Sequence, residues 1–542
     1  MLKVALCQLN FKIGDFENNL QKILSHIEQA KLQKSDLVIF SELAVCGYPP
    51  YDLLFDDTFV NNSLKAIDEI VKYSYGITIV VGGVDINNEK GKKLYNTAFI
   101  IKDGQIVQKY YKSLLPSYDI FYETRYFEPG FKPVIFKLKN QKIAVTICED
   151  IWTNDTDNEP SIGKPVYSFN PLENYKPYKP DILINLAASP FSYEQISHRY
   201  DVLQSVQRFL GCKILYVNQV GAQTDIIFDG GSAFLDNKGI YKLKFFEEDF
   251  KIIDLEKPEY NDTKIDKIES IYKALLLGIR DFLHKTGQKK VVVGLSGGID
   301  SSVVTLLAAD AIGSENVFAM LMPSRYSSEH SITDSIELCK RNNIAYSIIS
   351  IEPVFEQFES QLAPVFYGKQ TDITEENIQA RIRAVYLMAY ANKNSCVLLN
   401  TSNKSEVATG YGTLYGDMCG AISVLGDVYK TQVYELAKFL NKENERIPIN
   451  IILKPPSAEL KHNQKDTDTL PDYEILDKIL FYFIEKMQSK DYVINLGFPA
   501  EVVNKVYNML NYYDYKRFQA PPILRISNKS FGVGRIFPIV KK

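Results

Sequence analysis

The segment formed by residues 291–302 constrains the fold of this 542-residue chain more than any other. A run of three valines leads into a glycine-rich turn, and an apolar helical stretch follows at residues 303–312. In such a strand–turn–helix unit, backbone N–H groups and the positive end of the helix point to one place, where an anion can bind. Neither the Walker pattern nor Gly-x-Gly-x-x-Gly is present. The segment therefore predicts a phosphate-binding turn of another type.

An acidic residue, Asp300, lies inside this turn and would repel a phosphate. A magnesium ion shared between the carboxylate and the phosphates removes that conflict. Ser296 and Ser301 add hydroxyl donors. The simpler alternative is that these residues only cap a helix, a common role for serine and aspartate.

Short β-branched runs alternate with amphipathic stretches through the first half of the chain. The predicted strands are residues 4–9, 36–40, 77–84, 142–148, 181–186 and 213–217. The predicted helices are residues 17–34, 58–75 and 196–210, and the predicted hairpins pair 95–102 with 105–111 and 232–235 with 240–243. This order predicts an α/β sandwich with sheets inside and helices outside.

A polar segment without periodicity, residues 256–264, marks a linker. We therefore predict one domain over residues 1–255 and a second over 265–542. The second half has predicted helices at residues 265–285 and 375–392 and predicted strands at 290–295, 317–322, 347–351 and 396–400. Successive β-α units in one direction predict a doubly wound parallel sheet.

Composition narrows the class of protein. The 62 basic and 66 acidic side chains give a formal charge of −4, which offers no basic excess for a nucleic-acid binder. No apolar run approaches the roughly 18 residues of a membrane span, and the N-terminus lacks the pattern of a signal peptide. The seven cysteines are scattered and form no C-x-x-C pair, so we expect no disulfide framework and a cytoplasmic location.

Three polar residues lie at the ends of predicted strands of the first half or directly after them: Glu42, Lys112 and Cys148. Strand ends of α/β folds face one rim, so the three side chains could converge. A carboxylate can accept the thiol proton, while a lysine lowers the thiol pKa and stabilises an oxyanion. The backbone N–H of Glu149 is a natural second oxyanion donor. A Cys148–His198 dyad and a merely buried cysteine are the alternatives.

The second half resembles the N-type ATP pyrophosphatases, and within them the NAD synthetases. The resemblance is carried by residues 291–302, 376–383 (ENIQARIR), 400–406 (NTSNKSE), 415–418 (YGDM), 430–431 and 515–517. It implies ATP-phosphate binding by Gly294, Leu295, Ser296, Gly297, Gly298, Ile299, Asp300 and Ser301, with further ATP contacts from Thr401, Lys430 and Ser457. It also implies Mg²⁺ near Asp300 and Glu406, and deamido-NAD contacts from Asn377, Arg381, Glu406 and Lys516.

The first half resembles the nitrilase superfamily, in particular the glutamine amidotransferase domain fused to NAD synthetases. The resemblance is carried by residues 41–42, 111–118, 125–127 and 147–150. It implies an α-β-β-α sandwich in which Glu42 accepts a proton, Lys112 stabilises tetrahedral intermediates and Cys148 forms a glutamyl thioester. It also implies glutamine binding by Tyr118 and Ser189.

One position departs from that family. Gln195 stands where the family usually has a basic residue, and an amide offers no full charge to the substrate carboxylate. Arg199, one helical turn further on, is a candidate to compensate.

Together the resemblances imply a glutamine-hydrolysing ligase that amidates deamido-NAD at the expense of ATP. Its implied partners are small molecules (glutamine, ATP and deamido-NAD), and a homo-oligomer and an ammonia tunnel are expected. The alternatives are a ligase acting on another acid, such as a GMP- or asparagine-synthetase-like enzyme, and a nucleotide-binding module with an inert first half.

Overall fold

The computed structural model describes residues 2–152, 167–462 and 464–541. The chain divides into two compact units, Met1–Ile265 and Asp266–Lys542. The seven cysteines all lie in the described ranges and are free thiols. No helix within those ranges is both long and apolar enough to cross a membrane.

The first unit contains two sheets that contact each other. The first sheet has the lateral strand order Asp249–Asp254, Lys3–Gln8, Leu37–Ile39, Thr78–Ile86, Leu94–Lys102 and Gln105–Tyr111. The second has the order Ile240–Lys242, Ala233–Leu235, Lys213–Asn218, Ile182–Ala187, Gln141–Ile147 and Val134–Leu138. A short antiparallel pair joins Val220–Gln223 to Ile226–Asp229.

Helices cover the outer faces of these sheets. The α-helices are Phe16–Leu32, Asp57–Lys72, Glu123–Tyr126 and Gln195–Leu210, and the 3₁₀ turns are Tyr51–Phe55, Cys148–Ile151 and Pro171–Tyr178. Ile23, Ile27, Ile67 and Ile70 of the first two helices pack into the core of the first sheet. The predicted α-β-β-α sandwich is confirmed.

The second unit is built on a parallel sheet with the order Ala345–Ile348, Val317–Leu321, Val291–Gly294, Val397–Asn400 and Ile422–Ser423. The longer helices around it are Lys267–Thr286, Ile299–Ile312, Glu329–Arg341, Glu352–Leu362, Ile373–Asn394 and Lys430–Leu440. Shorter elements and the C-terminal helices are Ser314–Asn316, Lys404–Thr409, Ile449–Leu453, Asp466–Asp468, Tyr473–Ile484, Lys490–Asn495, Ala500–Tyr512 and Asp514–Arg517. The predicted parallel α/β fold is confirmed.

One strand prediction was wrong in its bounds. The strand expected at residues 347–351 runs from Ala345 to Ile348, and Ile351 precedes the helix Glu352–Leu362. Ile348 and Ile349 are exposed edge residues, while Ile351 is buried against Phe355 in the helical core. The apolar run therefore spans a strand end and a helix start, which hydrophobicity alone does not separate.

Gly82 brings the strand Thr78–Ile86 against the turn that carries Glu42. A Cβ at Gly82 would lie 2.4 Å from the backbone of both Ser41 and Leu43. At Gly83 it would meet only side-chain atoms of Phe99 and Ile67, at 3.2 and 3.3 Å. The clash at Gly82 is the more serious one, because backbone atoms cannot move aside as side-chain atoms can.

We expect Gly82→Ala to destabilise the first unit by about 1–3 kcal/mol because the backbone next to Glu42 must shift. Thermal or denaturant unfolding measures this loss. Gly83→Ala is the matched control and should cost less, because two movable side chains can give way. Equal stability losses would contradict the tight approach at Gly82.

Candidate functional site

Lys112 lies between two carboxylates inside the first unit. It directly follows the strand Gln105–Tyr111, and Glu42 comes shortly after Leu37–Ile39. Lys112 Nζ lies 2.7 Å from Glu42 Oε1 and 2.8 Å from Glu123 Oε1. The side chains of Lys112 and Glu42 are 1% and 0% exposed. The two carboxylates raise the pKa of the Lys112 ammonium well above its usual value, although burial opposes them, so the group stays charged.

Lys112, Glu42 and Glu123 form a triad, and neutral hydrogen-bond donors fix the orientation of its two carboxylates. Asn96 Nδ2 donates to Glu42 Oε1 at 2.7 Å, and the backbone N–H of Ala188 donates to Glu42 Oε2 at 3.0 Å. Tyr48 donates its hydroxyl to Glu123 Oε1 at 2.8 Å. Both carboxylates are therefore held in fixed orientations around the ammonium.

Cys148 begins the turn that follows the strand Gln141–Ile147. Its φ of 43° lies in the left-handed region, which a non-glycine residue adopts at a cost. The residue is 6% exposed. Burial raises the pKa of its thiol, the charge on Glu42 raises it further, and the charge on Lys112 lowers it. The resting thiol is protonated, so a reaction at sulfur requires a base.

The charges on Glu42 and Lys112 both act on the Cys148 thiol, so the three groups form one electrostatic cluster. The groups that act on the Cys148 thiol include Glu42, Lys112, Glu149 and Glu123. The His198 ring instead contacts Trp152, with ring centroids 5.8 Å apart. This arrangement favours the Glu–Lys–Cys reading over a Cys148–His198 dyad.

The residues expected to bind glutamine differ in exposure and in their hydrogen-bond partners. Tyr118 is 37% exposed and donates its hydroxyl to Glu149 Oε1 at 2.7 Å. Ser189 is buried, and its backbone N–H donates to Asn218 Oδ1 at 2.8 Å. Gln195 is exposed at the start of the helix Gln195–Leu210.

Arg199 does not fit the compensating role considered for it. Its guanidinium is 1% exposed and makes a bidentate pair with Asp229, at 2.9 and 2.8 Å. A bidentate partner fills the geometry that a substrate carboxylate would need. The expectation that Arg199 replaces a basic residue at position 195 is therefore wrong.

A cavity of about 280 Å³ opens over the carboxyl edge of the parallel sheet in the second unit. The residues expected to bind ATP that line it are Gly294, Leu295, Ser296, Gly298, Ile299, Asp300, Ser301, Thr401, Lys430 and Ser457. Glu406 also lines it. The carboxyl edge is where ligands bind in open α/β sheets.

The glycine-rich turn owes its shape to Gly297, which has a φ of 79°. A Cβ there would lie 2.4 Å from the carbonyl oxygen of Ser331, so only glycine allows this approach. Gly297 is not among the lining residues of the cavity. Gly298 precedes the helix Ile299–Ile312, whose N-terminus faces the same turn.

Asp300 and Glu406 flank one buried lysine. Lys430 Nζ bonds to Asp300 Oδ2 and lies 3.7 Å from Glu406 Oε1, and Asn403 Nδ2 donates to Asp300 Oδ1 at 2.9 Å. Burial and the charge on Asp300 raise the pKa of Glu406 to about 8, although Lys430 opposes them. Within the described ranges, no group of three or more His, Cys, Asp or Glu side chains forms a metal cage. A pair of carboxylates beside a phosphate turn nevertheless suits Mg²⁺, which takes one or two protein carboxylates plus phosphate oxygens.

The remaining residues expected at deamido-NAD lie outside the lining of this cavity. Asn377 Oδ1 accepts from Thr413 Oγ1 at 2.7 Å. Arg381 is exposed and donates from Nε to the Leu414 carbonyl at 3.2 Å. Lys516 Nζ donates to the carbonyl oxygens of Gly410 and Gly412 at 2.8 and 2.6 Å.

Arg383 lines the cavity, although it is not among the residues predicted to bind a substrate. Burial lowers its guanidinium pKa to about 10, against the opposing charges of Asp417 and Glu459. Its neighbours on the helix at the cavity are Ala380, Ala384 and Leu387. This i, i+3, i+4, i+7 stripe is the signal that could have placed Arg383, rather than Arg381, on the cavity side.

Two family models match the chain: carbon-nitrogen hydrolase over residues 3–156 and NAD synthase over residues 271–520. The glutamine-dependent NAD(+) synthetase of Synechocystis sp. (strain ATCC 27184 / PCC 6803 / Kazusa) is 42% identical, with coverage of 100% of this chain and 99% of that protein. The one from Thermotoga maritima is 38% identical, with coverage of 100% and 99%. The chain belongs to the glutamine-dependent NAD(+) synthetase family.

Solved structures agree with this membership. A glutamine-dependent NAD+ synthetase from Acinetobacter baumannii, solved in complex with ADP, is 37% identical and has a TM-score of 0.79. The match covers 99% of this chain and 98% of that one. The synthetase from Cytophaga hutchinsonii has a TM-score of 0.84 at 20% identity, over 100% and 98% of the two chains, which shows the shared fold.

We expect Lys112→Met to destabilise the protein by about 3–5 kcal/mol, because two buried carboxylates lose their shared cation. Denaturant unfolding measures the change. The double variant Lys112→Met/Glu123→Gln should recover part of the loss, since one buried charge is removed. No recovery in the double variant would contradict the charge balance described for the triad.

Proposed function

We propose that this chain forms NAD from deamido-NAD, ATP and glutamine, releasing glutamate, AMP and pyrophosphate. The first unit hydrolyses glutamine through Cys148, and the second unit activates and amidates deamido-NAD. The observation that carries the proposal is the buried Glu42–Lys112–Cys148 cluster in the same chain as the lysine-containing phosphate cavity. Family membership over the full length disfavours a ligase for another acid.

In the first unit, Glu42 accepts the thiol proton while the sulfur attacks the carboxamide carbon of glutamine. The Lys112 ammonium and the N–H of Glu149 stabilise the resulting oxyanion. Glu42 then returns the proton to the leaving nitrogen, so ammonia departs and a glutamyl thioester remains. A water molecule, deprotonated by Glu42, hydrolyses the thioester to glutamate and restores the thiol.

In the second unit, the turn from Gly294 to Ser301 cradles the ATP phosphates, and Thr401, Lys430 and Ser457 add contacts. The substrate carboxylate attacks the α-phosphorus and pyrophosphate leaves, which makes an acyl-adenylate. Ammonia then displaces AMP, and the amide of NAD forms. Activation is necessary because a carboxylate is a poor electrophile whereas AMP is a good leaving group.

Mg²⁺ is the proposed metal, held by Asp300 and Glu406. When bound, it neutralises charge on the phosphates and on the departing pyrophosphate. Lys430 pairs with the same two carboxylates and carries a cation that can contact a phosphate. Asn377, Arg381, Glu406 and Lys516 are proposed to contact deamido-NAD, and Tyr118, Ser189 and Gln195 to contact glutamine.

A homo-oligomer is part of the proposal, and light scattering of the purified chain tests it. The ammonia tunnel and the cytoplasmic location stay predictions. The domain limits at residues 1–255 and 265–542 are likewise proposed as the functional boundaries.

We expect Cys148→Ala to lower glutamine-dependent NAD formation by at least about 1,000-fold, because the nucleophile is lost. Synthesis from ammonium salts should stay near the parent rate, since the second unit is unchanged. Cys212→Ala, which removes another buried thiol of the first unit, is the control and should keep both activities. Loss of both activities in Cys148→Ala would contradict the division of labour.

A related experiment addresses the inert-module alternative. An electrophilic glutamine analogue should label Cys148 rapidly and exclusively, as mass spectrometry of peptides would show. Slow or scattered labelling among the seven cysteines would favour the inert first half.

We expect Asp300→Ala to lower NAD synthesis from either nitrogen source by about 10- to 100-fold, because one carboxylate of the proposed metal pair is lost. The control is Asp310→Ala, because Asp310 lies at the other end of the same helix and pairs with Arg446. This control should keep synthesis within about threefold of the parent at temperatures below its Tm. Near-normal turnover of Asp300→Ala at low magnesium would remove Asp300 from the metal role.

A further inference from the structure

A single buried carboxylate joins the chain segments that carry Cys148 and Lys112. Asp150 Oδ1 accepts the backbone N–H groups of Ser113 and Leu114, at 3.0 and 2.8 Å. Its Oδ2 accepts the N–H of Ile147 at 2.9 Å and the hydroxyl of Tyr110 at 2.8 Å. The side chain thus holds the residue before Cys148 and the two residues after Lys112.

These segments belong to different sheets. Lys112 follows Gln105–Tyr111 at the edge of the first sheet, while Cys148 follows Gln141–Ile147 in the second. Backbone ladders set the register within each sheet, but no ladder connects these two strands. Packing between sheets is apolar and non-directional, whereas the hydrogen bonds of Asp150 are directional.

Asp150 is completely buried, and burial raises the pKa of its carboxyl to about 6, although its hydrogen bonds oppose the rise. Burial of a carboxylate costs free energy, and its hydrogen-bond donors offset that cost only while they stay in place. Neither Cys148 Sγ nor Lys112 Nζ donates a hydrogen bond to Asp150, whose donors are three backbone N–H groups and the Tyr110 hydroxyl. The charge on Lys112 also acts on the Asp150 carboxyl and lowers its pKa.

We propose that Asp150 is a positioning residue that sets the spacing between the Cys148 thiol and the Lys112 ammonium by hydrogen bonding both segments. The proposal rests on the glutaminase activity proposed for the first unit. A displacement of about 1 Å at reacting groups can reduce a rate by about 100-fold. Asp150 thereby links the stability of the interface between the sheets to the reactivity of the site.

Asp150→Asn tests this role with almost no change in volume. An amide has one acceptor oxygen and one donor NH₂. The NH₂ would therefore face two of the four groups that donate to Asp150, and those two hydrogen bonds would be lost. We expect kcat for glutamine hydrolysis to fall about 10- to 100-fold with KM within about twofold of the parent. NAD synthesis from ammonium salts should be unchanged.

The pH profile of Cys148 alkylation separates positioning from simple stability. A thiol displaced from Lys112 loses the charge that lowers its pKa, so the profile should move to higher pH at temperatures well below the Tm. A lower Tm with an unchanged kcat and an unchanged profile would overturn the proposal. A rise in KM alone would also overturn it.

Two further variants keep the test decisive. Tyr110→Phe removes one donor and leaves three, so it serves if Asp150→Asn fails to fold; its kcat should fall severalfold, and an unchanged kcat would overturn the proposal. Asp85→Asn is the matched control, because Asp85 accepts from Lys109 and Tyr111 without touching the Cys148 segment. It should keep kcat within about twofold of the parent, and an equal loss there would overturn the specific role of Asp150.

The outcome is also distinguishable from failure of the proposed function. A parent protein without glutaminase activity would refute that function. The alkylation profiles of parent and Asp150→Asn would still decide whether Asp150 sets the environment of the thiol.

Discussion

The first unit depends on one buried cation shared by two carboxylates. Lys112 Nζ contacts a carboxylate oxygen of Glu42 and one of Glu123, and none of the three side chains is more than 5% exposed. Burial is the main cause of the raised pKa of the Cys148 thiol, and the charges on Glu42 and Lys112 act on that pKa in opposite directions. Removing Lys112 leaves two buried carboxylates without their shared cation, so stability and reactivity depend on the same three side chains.

The second unit also has one lysine between two carboxylates, at the cavity proposed to bind the ATP phosphates. Asp300 and Glu406 would repel an anion, but Lys430 lies between them and is 3% exposed. The same arrangement leaves carboxylate oxygens on either side of the lysine. Carboxylate and phosphate oxygens are the ligands that a hard divalent cation such as Mg²⁺ prefers. Each unit therefore pairs two carboxylates with one buried lysine, which follows a strand in the first unit and begins a helix in the second.

Much of this could be predicted from local sequence. Period-two and helical patterns placed the strands and helices within a few residues, because each pattern reflects burial of one face. Glu42, Lys112 and Cys148 were accessible to prediction because each follows a strand, and strand ends share a rim. The strand at residues 347–351 was misplaced because an apolar run crossed from an edge strand into a buried helix start.

Most of the other features depend on contacts between residues that lie far apart in the sequence. Glu123, at the start of a short helix, is the second carboxylate at Lys112, and Asp150 hydrogen-bonds segments of two sheets. The spacing of residues along the chain does not reveal the partners of either side chain. Arg199 could be considered a substitute for a basic residue at position 195 because its partner Asp229 is remote in sequence. Arg383 was obscured by Arg381 two residues earlier, although helical periodicity places only one of them on the apolar stripe.

The central claim is that Cys148 forms a covalent bond to the glutamyl group. Rapid mixing of the protein with carbon-13-labelled glutamine, acid quenching and peptide mass spectrometry measure this directly. The account predicts a labelled glutamyl adduct on the peptide that contains Cys148, present during turnover and lost when glutamine is exhausted. Glutamine hydrolysis at full rate with no adduct at Cys148, or with an adduct at another residue, would contradict it.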